Sequence, residues 1–175
     1  MNLKKIKVIA IINLIILSFP SHFLYKLFPN ILVSFFFPVN ESIFEHMKII
    51  FTTTCFYGLI DYILLKINNI KFSNFSFQLF FTSFISIPIY LIIYLPIHYL
   101  LGEYLIISIL LLVITYIISQ IISFYLLNRP TIPYVNSLSI PLIILVYLNF
   151  IILTYIPPHI DLFYDNASHS YGIQK

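Results

Sequence analysis

Charge is what this sequence has least of. Charged side chains make up 9% of its 175 residues, where a soluble domain carries about a quarter. So little charge cannot cover a globule with groups that water solvates, and an ordinary soluble domain is excluded. The net charge of +3 is small and scattered, which argues against a nucleic-acid surface. Glycine occurs three times, too sparsely for a phosphate-cradling loop, a GxxxG helix pair or a nucleophile elbow. The single cysteine, Cys55, rules out an intrachain disulfide and a thiolate metal site. It lies inside an apolar run and reads as a small packing residue. Tryptophan is absent, so an aromatic belt must come from the 14 tyrosines.

Hydrophobic residues are 61% of the chain. A bilayer core is crossed by roughly 20 apolar residues in a helix, and five segments reach that length. They run over about 6–27, 43–65, 75–100, 104–127 and 138–156. Nothing alternates with the period of a barrel strand, so the expected fold is all-α: a bundle of five transmembrane helices in one membrane domain spanning 1–175. Lys4, Lys5 and Lys7 precede the first apolar run as they would in a signal peptide, but no small-residue cleavage pattern follows "SFPSHF". This segment reads as an uncleaved helix. The run "ILVSFFF", fenced by Pro29 and Pro38, is too short to cross and is expected to be re-entrant or interfacial.

With five spans, one side collects Lys4, Lys5, Lys7, Lys66, Lys71 and Arg129, and the other collects Lys26, Lys48 and Lys175. The excess of basic residues marks the cytoplasmic side, placing the N-terminus inside and the C-terminus outside. All five histidines then fall at or near the outer face, as do Glu41, Glu45, Glu103, Asp161 and Asp165. Asp61 is the exception, expected at the inner interface near Lys66 or Lys71. The expected setting is a bacterial cell membrane, since the wealth of Ile, Asn, Lys and Phe suits an AT-rich genome. The lipid bilayer is the partner that composition implies.

The chemistry concentrates in "PVNESIFEHMK", Pro38 to Lys48. One reading is structural: Asn40 or Ser42 caps the next helix, and Ser42 with Glu45 forms a capping box. The other takes helical spacing from Glu41 onward, placing Glu41, Glu45, Lys48 and Thr52 on one stripe and Ser42, His46 and Thr53 on a second. Ionisable residues at membrane depth are functional candidates. A Glu/His pair can relay protons or ligate a divalent cation. The acid/base candidates are therefore Glu41, Glu45 and His46. The candidate ligands for a divalent metal ion are His22, Glu45 and His46, with His98 or His159 as further donors. His22 comes late in the outgoing helix and His46 early in the returning one, so both are expected at one depth. The tail "HIDLFYDNASHSYGIQK" follows Pro157 and Pro158, and its aromatics suit docking on the outer face more than a free end.

The block "PVNESIFEHMK" resembles the signature of a family of small bacterial multi-pass membrane proteins of unknown function. Its members share Pro-Val-Asn-Glu-Ser-x-Trp-Glu-His-x-Lys, a histidine late in the first span and a Pro-rich aromatic tail ending near "YG". Here those features are His22 and the region from Pro157 to Gly172, and Phe44 stands at the tryptophan position. The resemblance implies an integral membrane protein and no particular activity. Three classes stay open: a membrane-embedded enzyme at the outer face, a non-catalytic sensor, immunity or assembly factor, and a small transporter. Against the last, there is no internal repeat and no pair of broken helices.

Overall fold

The computed structural model describes residues 1–102 and 104–173, so Glu103 and Lys175 lie outside the described residues. The apolar runs form five long helices: α1 (Leu3–Leu27), α3 (Ile43–Ile67), α4 (Phe75–Leu101), α5 (Leu105–Leu127) and α6 (Pro133–Tyr155). Each is long and apolar enough to cross a membrane. The short run between Pro29 and Pro38 is a separate helix, α2 (Ile31–Phe36). At 1.5 Å per residue its six residues reach about 9 Å, far short of the ~30 Å hydrocarbon core.

α1 packs against α3 and α5, and α4 packs against α3, α5 and α6, so α1, α3, α5 and α4 form a four-helix ring. α6 lies outside it against α4, with α2 leaning on α6. Ala10, Leu14, Ile50, Tyr57, Tyr90, Leu111 and Tyr116 fill the ring's centre. Bulky apolar side chains such as Ile12, Leu59, Ile92, Leu110 and Ile152 remain exposed on the outside. In water these would demand a partner, and in lipid they are already solvated. Inside, the helices meet through small polar residues. Thr82, Ser83, Ser86, Thr115, Ser119 and Ser123 are fully buried, and several bond back to their own helix, as Thr115 Oγ1 does to Leu111 O at 2.9 Å. Such side chains let helices approach closely where lipid provides no hydrophobic drive. At Gly58 the approach of α3 to α4 is close, since a Cβ there would run into the Leu79 side chain.

One end of the bundle gathers the basic residues. The N-terminal amine donates to Asn68 Oδ1 at 2.7 Å. Asn74, in the left-handed region at φ 55°, donates to the Pro130 carbonyl and accepts from the Ile132 amide, joining the α3–α4 and α5–α6 connections. Asp61 is not beside Lys66 or Lys71. It pairs with Lys7 across the α1–α3 interface, Nζ to Oδ2 2.5 Å, both side chains buried. The reason is helical phase: five residues place Lys66 about 140° round from Asp61. Lys66 instead lies over the rings of Tyr62 and Phe72.

At the opposite end, the tail after α6 is folded. A 3₁₀ turn (Asp161–Phe163) leads into a two-residue hairpin of β1 (Tyr164–Asp165) and β2 (Ser170–Tyr171). Phe163 stacks on Phe44 at 4.4 Å, and the Asn40 side chain donates from Nδ2 to Gly172 O at 2.9 Å. Gly172 has φ 64°, and a Cβ there would meet the Thr154 carbonyl at 2.9 Å, so this position favours glycine twice over.

Candidate functional site

The helix start at Ser42 explains how the "NESIFEH" residues separate. Ser42 is the N-cap of α3, its hydroxyl accepting the Glu45 amide at 3.3 Å. Glu41 therefore precedes the helix, and helical spacing does not apply to it. The stripe expected to join Glu41 to Glu45 is broken there. Glu45, Lys48 and Thr52 remain on one face and turn into the packed contact with α2 and α6. Glu41 and His46 turn the other way, toward α1.

The inward set is a closed polar network. Glu45 and Lys48 are 1% and 0% exposed. Lys48 Nζ lies 2.6 Å from Glu45 Oε2 and also donates to Ser34 O and Thr154 Oγ1, both at 2.9 Å. Thr154 donates to Glu45 Oε1 at 2.8 Å. The reciprocal bond of a capping box would run from Glu45 to the Ser42 amide. Instead Glu45 accepts from the Val39 amide at 3.0 Å, and Asn40 Oδ1 serves Ser42 N at 3.0 Å. Thr52 donates to Phe36 O at 2.8 Å. The last carbonyls of α2 have no partner within so short a helix, and Lys48 and Thr52 supply one. This network anchors α2 against α3 and α6 and leaves each Glu45 oxygen with a donor.

The outward set is open. His22, Glu41 and His46 each present one ligand atom, and the three atoms lie within 4.8 Å of one another. Glu41 Oε2 is 3.4 Å from His22 Nε2 and 3.7 Å from His46 Nε2, and the imidazole centroids are 5.2 Å apart. Two donors about 2.0–2.2 Å from a tetrahedral zinc stand roughly 3.4 Å apart, so the spacing suits a shared cation. His46 Nδ1 is 2.9 Å from the Ser42 carbonyl. A carbonyl only accepts, so Nδ1 carries a proton and Nε2 is the ring atom left to meet a cation beside Glu41. Lys26 Nζ holds the other Glu41 oxygen at 2.6 Å, orienting the carboxylate.

Partial burial pushes the Glu41 carboxyl up, but the Lys26 ammonium and the two histidines outweigh it and hold it below the usual carboxylate range. The same holds for Asp165: burial raises it, and the Ser168 hydroxyl with the amides of Ala167, Glu41 and Ser168 brings it down. The Glu41 amide thus ties the tail hairpin to the site. Together these residues wall a cleft of about 340 Å³, its far side formed by Tyr90, Tyr94, Tyr104 and Ser108.

His22, Glu41 and His46 are brought together, and Glu45 is not with them. His98 stacks on Tyr94 and His159 on Tyr171, so neither joins the cluster. The contribution of Asp165, Asn166 and Ala167 to the cleft was not legible in the sequence, beyond the aromatic content of the tail. Ser42→Ala is expected to lower stability by about 1 kcal/mol through loss of the cap alone. The check is thermal unfolding in detergent, with the histidine cluster left in place.

A family of unknown function (DUF6512) matches residues 1–173 of the chain. No curated protein and no solved structure matches it.

Proposed function

We propose that this chain, which belongs to the DUF6512 family of unknown function, holds a divalent metal ion on His22, Glu41 and His46 and acts as a metal-dependent membrane enzyme at the outer face. The observation that carries this is the convergence of three ligand atoms from two helices and a loop on one point in a water-accessible cleft. Catalytic zinc sites pair three protein ligands with an open fourth position, and two histidines with one glutamate are an established set. A metal so held polarises a carbonyl or phosphoryl oxygen, or brings the pKa of bound water to about 7. Second-sphere support is present in the Ser42 carbonyl behind His46 and in Lys26 behind Glu41. Glu45 belongs to the scaffold in this reading.

The Lys26–Glu41 contact favours a second reading, a metal-free acid/base pair or a purely structural helix start. Elemental analysis and zinc titration of the detergent-purified protein separate the two. About one zinc per chain, lost in His46→Gln with folding intact, supports the metal site; no bound metal in either protein rejects it.

The orientation proposed with this function places the N-terminus in the cytoplasm and the site outside, from the gathering of Lys4, Lys5, Lys66, Lys71 and Arg129 at the other end. A reporter active only outside the cytoplasm, fused after Lys175, is expected to give signal. Silence there reverses the assignment.

A further inference from the structure

Beside the polar cleft lies a second, apolar space of about 230 Å³, walled by α1, α3, α4 and α5. The two share His22, His46, Tyr90, Leu105 and Ser108, so they adjoin at the histidine pair. From there the apolar space follows α1 from His22 to Ile15, seven residues or about 10 Å toward the centre of the bundle. Its walls include Phe19, Phe23 and Leu105, which are 51%, 47% and 76% exposed on the bundle's outer surface. In a membrane that surface meets acyl chains. The groove therefore opens sideways into lipid at one end of the bundle, with a polar, ligand-bearing cleft at its mouth.

We infer that the substrate is a phospholipid of the adjoining leaflet, with its polar head in the His22–Glu41–His46 cleft and one acyl chain in the groove. This deepens the metal-site reading and rests on it for the chemistry, though not for the seating of the chain. A water-soluble substrate would need the cleft alone and gives no role to an apolar annex opening on lipid. Space argues for one chain: with about 30 Å³ for a water-sized group, 230 Å³ takes roughly eight methylenes. Each methylene moved from water into such a groove favours binding, but one arriving from lipid gains little. Selectivity thus falls to the head-group cleft, and the groove sets the depth at which the ester or phosphoester linkage sits. The linkage between head and chain then lies level with the histidines, where a metal-activated water reaches it. Attack breaks the linkage, water's oxygen joins the acyl or phosphoryl centre, and its protons pass to the leaving alkoxide and to solvent.

The test uses the full chain in vesicles of phosphatidylethanolamine and phosphatidylglycerol, doped with phosphatidylglycerol carrying a diazirine on its acyl chain. Illumination is expected to concentrate label on the α1 and α5 peptides that hold Phe19, Ile109 and Leu112. Ile109→Trp, which adds bulk to the groove at a residue that is not a metal ligand, is expected to cut that label at least tenfold and leave zinc stoichiometry unchanged. Leu112→Phe serves the same purpose should the tryptophan unfold the protein, as read by thermal unfolding. Label spread evenly over the exposed face of α6 as well, and insensitive to both substitutions, overturns the phospholipid assignment. Zinc bound without groove labelling rejects the lipid and spares the metal site. Groove labelling without zinc supports the lipid and rejects the metal.

Discussion

Lys48→Met is expected to lower the stability of the protein by about 3–5 kcal/mol, the usual effect of removing one partner from a buried ion pair. The substitution strands the Glu45 carboxylate at 1% exposure, with Thr154 and the Val39 amide as its remaining donors. It also removes the donor serving the Ser34 carbonyl at the end of α2. A buried charge without its counter-ion is far costlier than the pair was favourable, because desolvation is still borne by the charge that remains. For a chain of this size, 1 kcal/mol moves the unfolding midpoint by about 2–4 °C, so a fall on the order of 10 °C in detergent is expected. The double variant Glu45→Met with Lys48→Met is expected to be less destabilised than Lys48→Met alone, since no charge is left inside. Additive losses, or a silent Lys48→Met, would show that the pair does not anchor α2.

The second large effect concerns metal. His46→Ala is expected to weaken zinc binding by at least about 100-fold, the upper end of what losing a mere supporting partner does to a metal site. Glu41→Gln is expected to act in the same direction, and Glu45→Gln to leave zinc affinity within a few-fold if the protein folds. That contrast is the sharpest available, because the two glutamates stand four residues apart. The pH dependence follows from competition between protons and metal. Glu41 is held below the usual carboxylate range, so it remains an anionic ligand into mildly acid solution. Affinity is therefore expected to fall as pH drops from 7 to 5, as protons compete with the metal for its ligand atoms. Zinc titrations at several pH values read this directly, and binding that is flat across that range would sink the histidine ligand set.

The five spans, the helical class and the uncrossed segment at 31–36 were legible in the chain because lipid imposes one strict rule. Backbone groups must bond within their own segment, so length and hydropathy alone determine where helices lie. The basic residues could be assigned to two sides for a related reason: unpaired charge is costly in lipid, so an exposed lysine marks an end. The same simplicity concealed the partners of the few charges that are buried. Nothing in the order of residues couples Lys7 to Asp61, which are 54 positions apart and meet only because α1 lies against α3. Nor does local spacing disclose that Thr154 closes the Glu45–Lys48 network from α6.

For the candidate site, the residue types were visible and their sorting was not. The sequence by itself determined that carboxylates and histidines crowd Glu41 to His46, and that His22 stands at matching depth on the outgoing helix. Only the tertiary structure decided which glutamate joins the histidines. That choice turns on one backbone event, the change from extended chain to helix at Ser42, which frees Glu41 from the helical phase and turns it toward α1. Glu45, inside the helix, is carried to another face, where it is buried against Lys48, Thr154 and the Val39 amide.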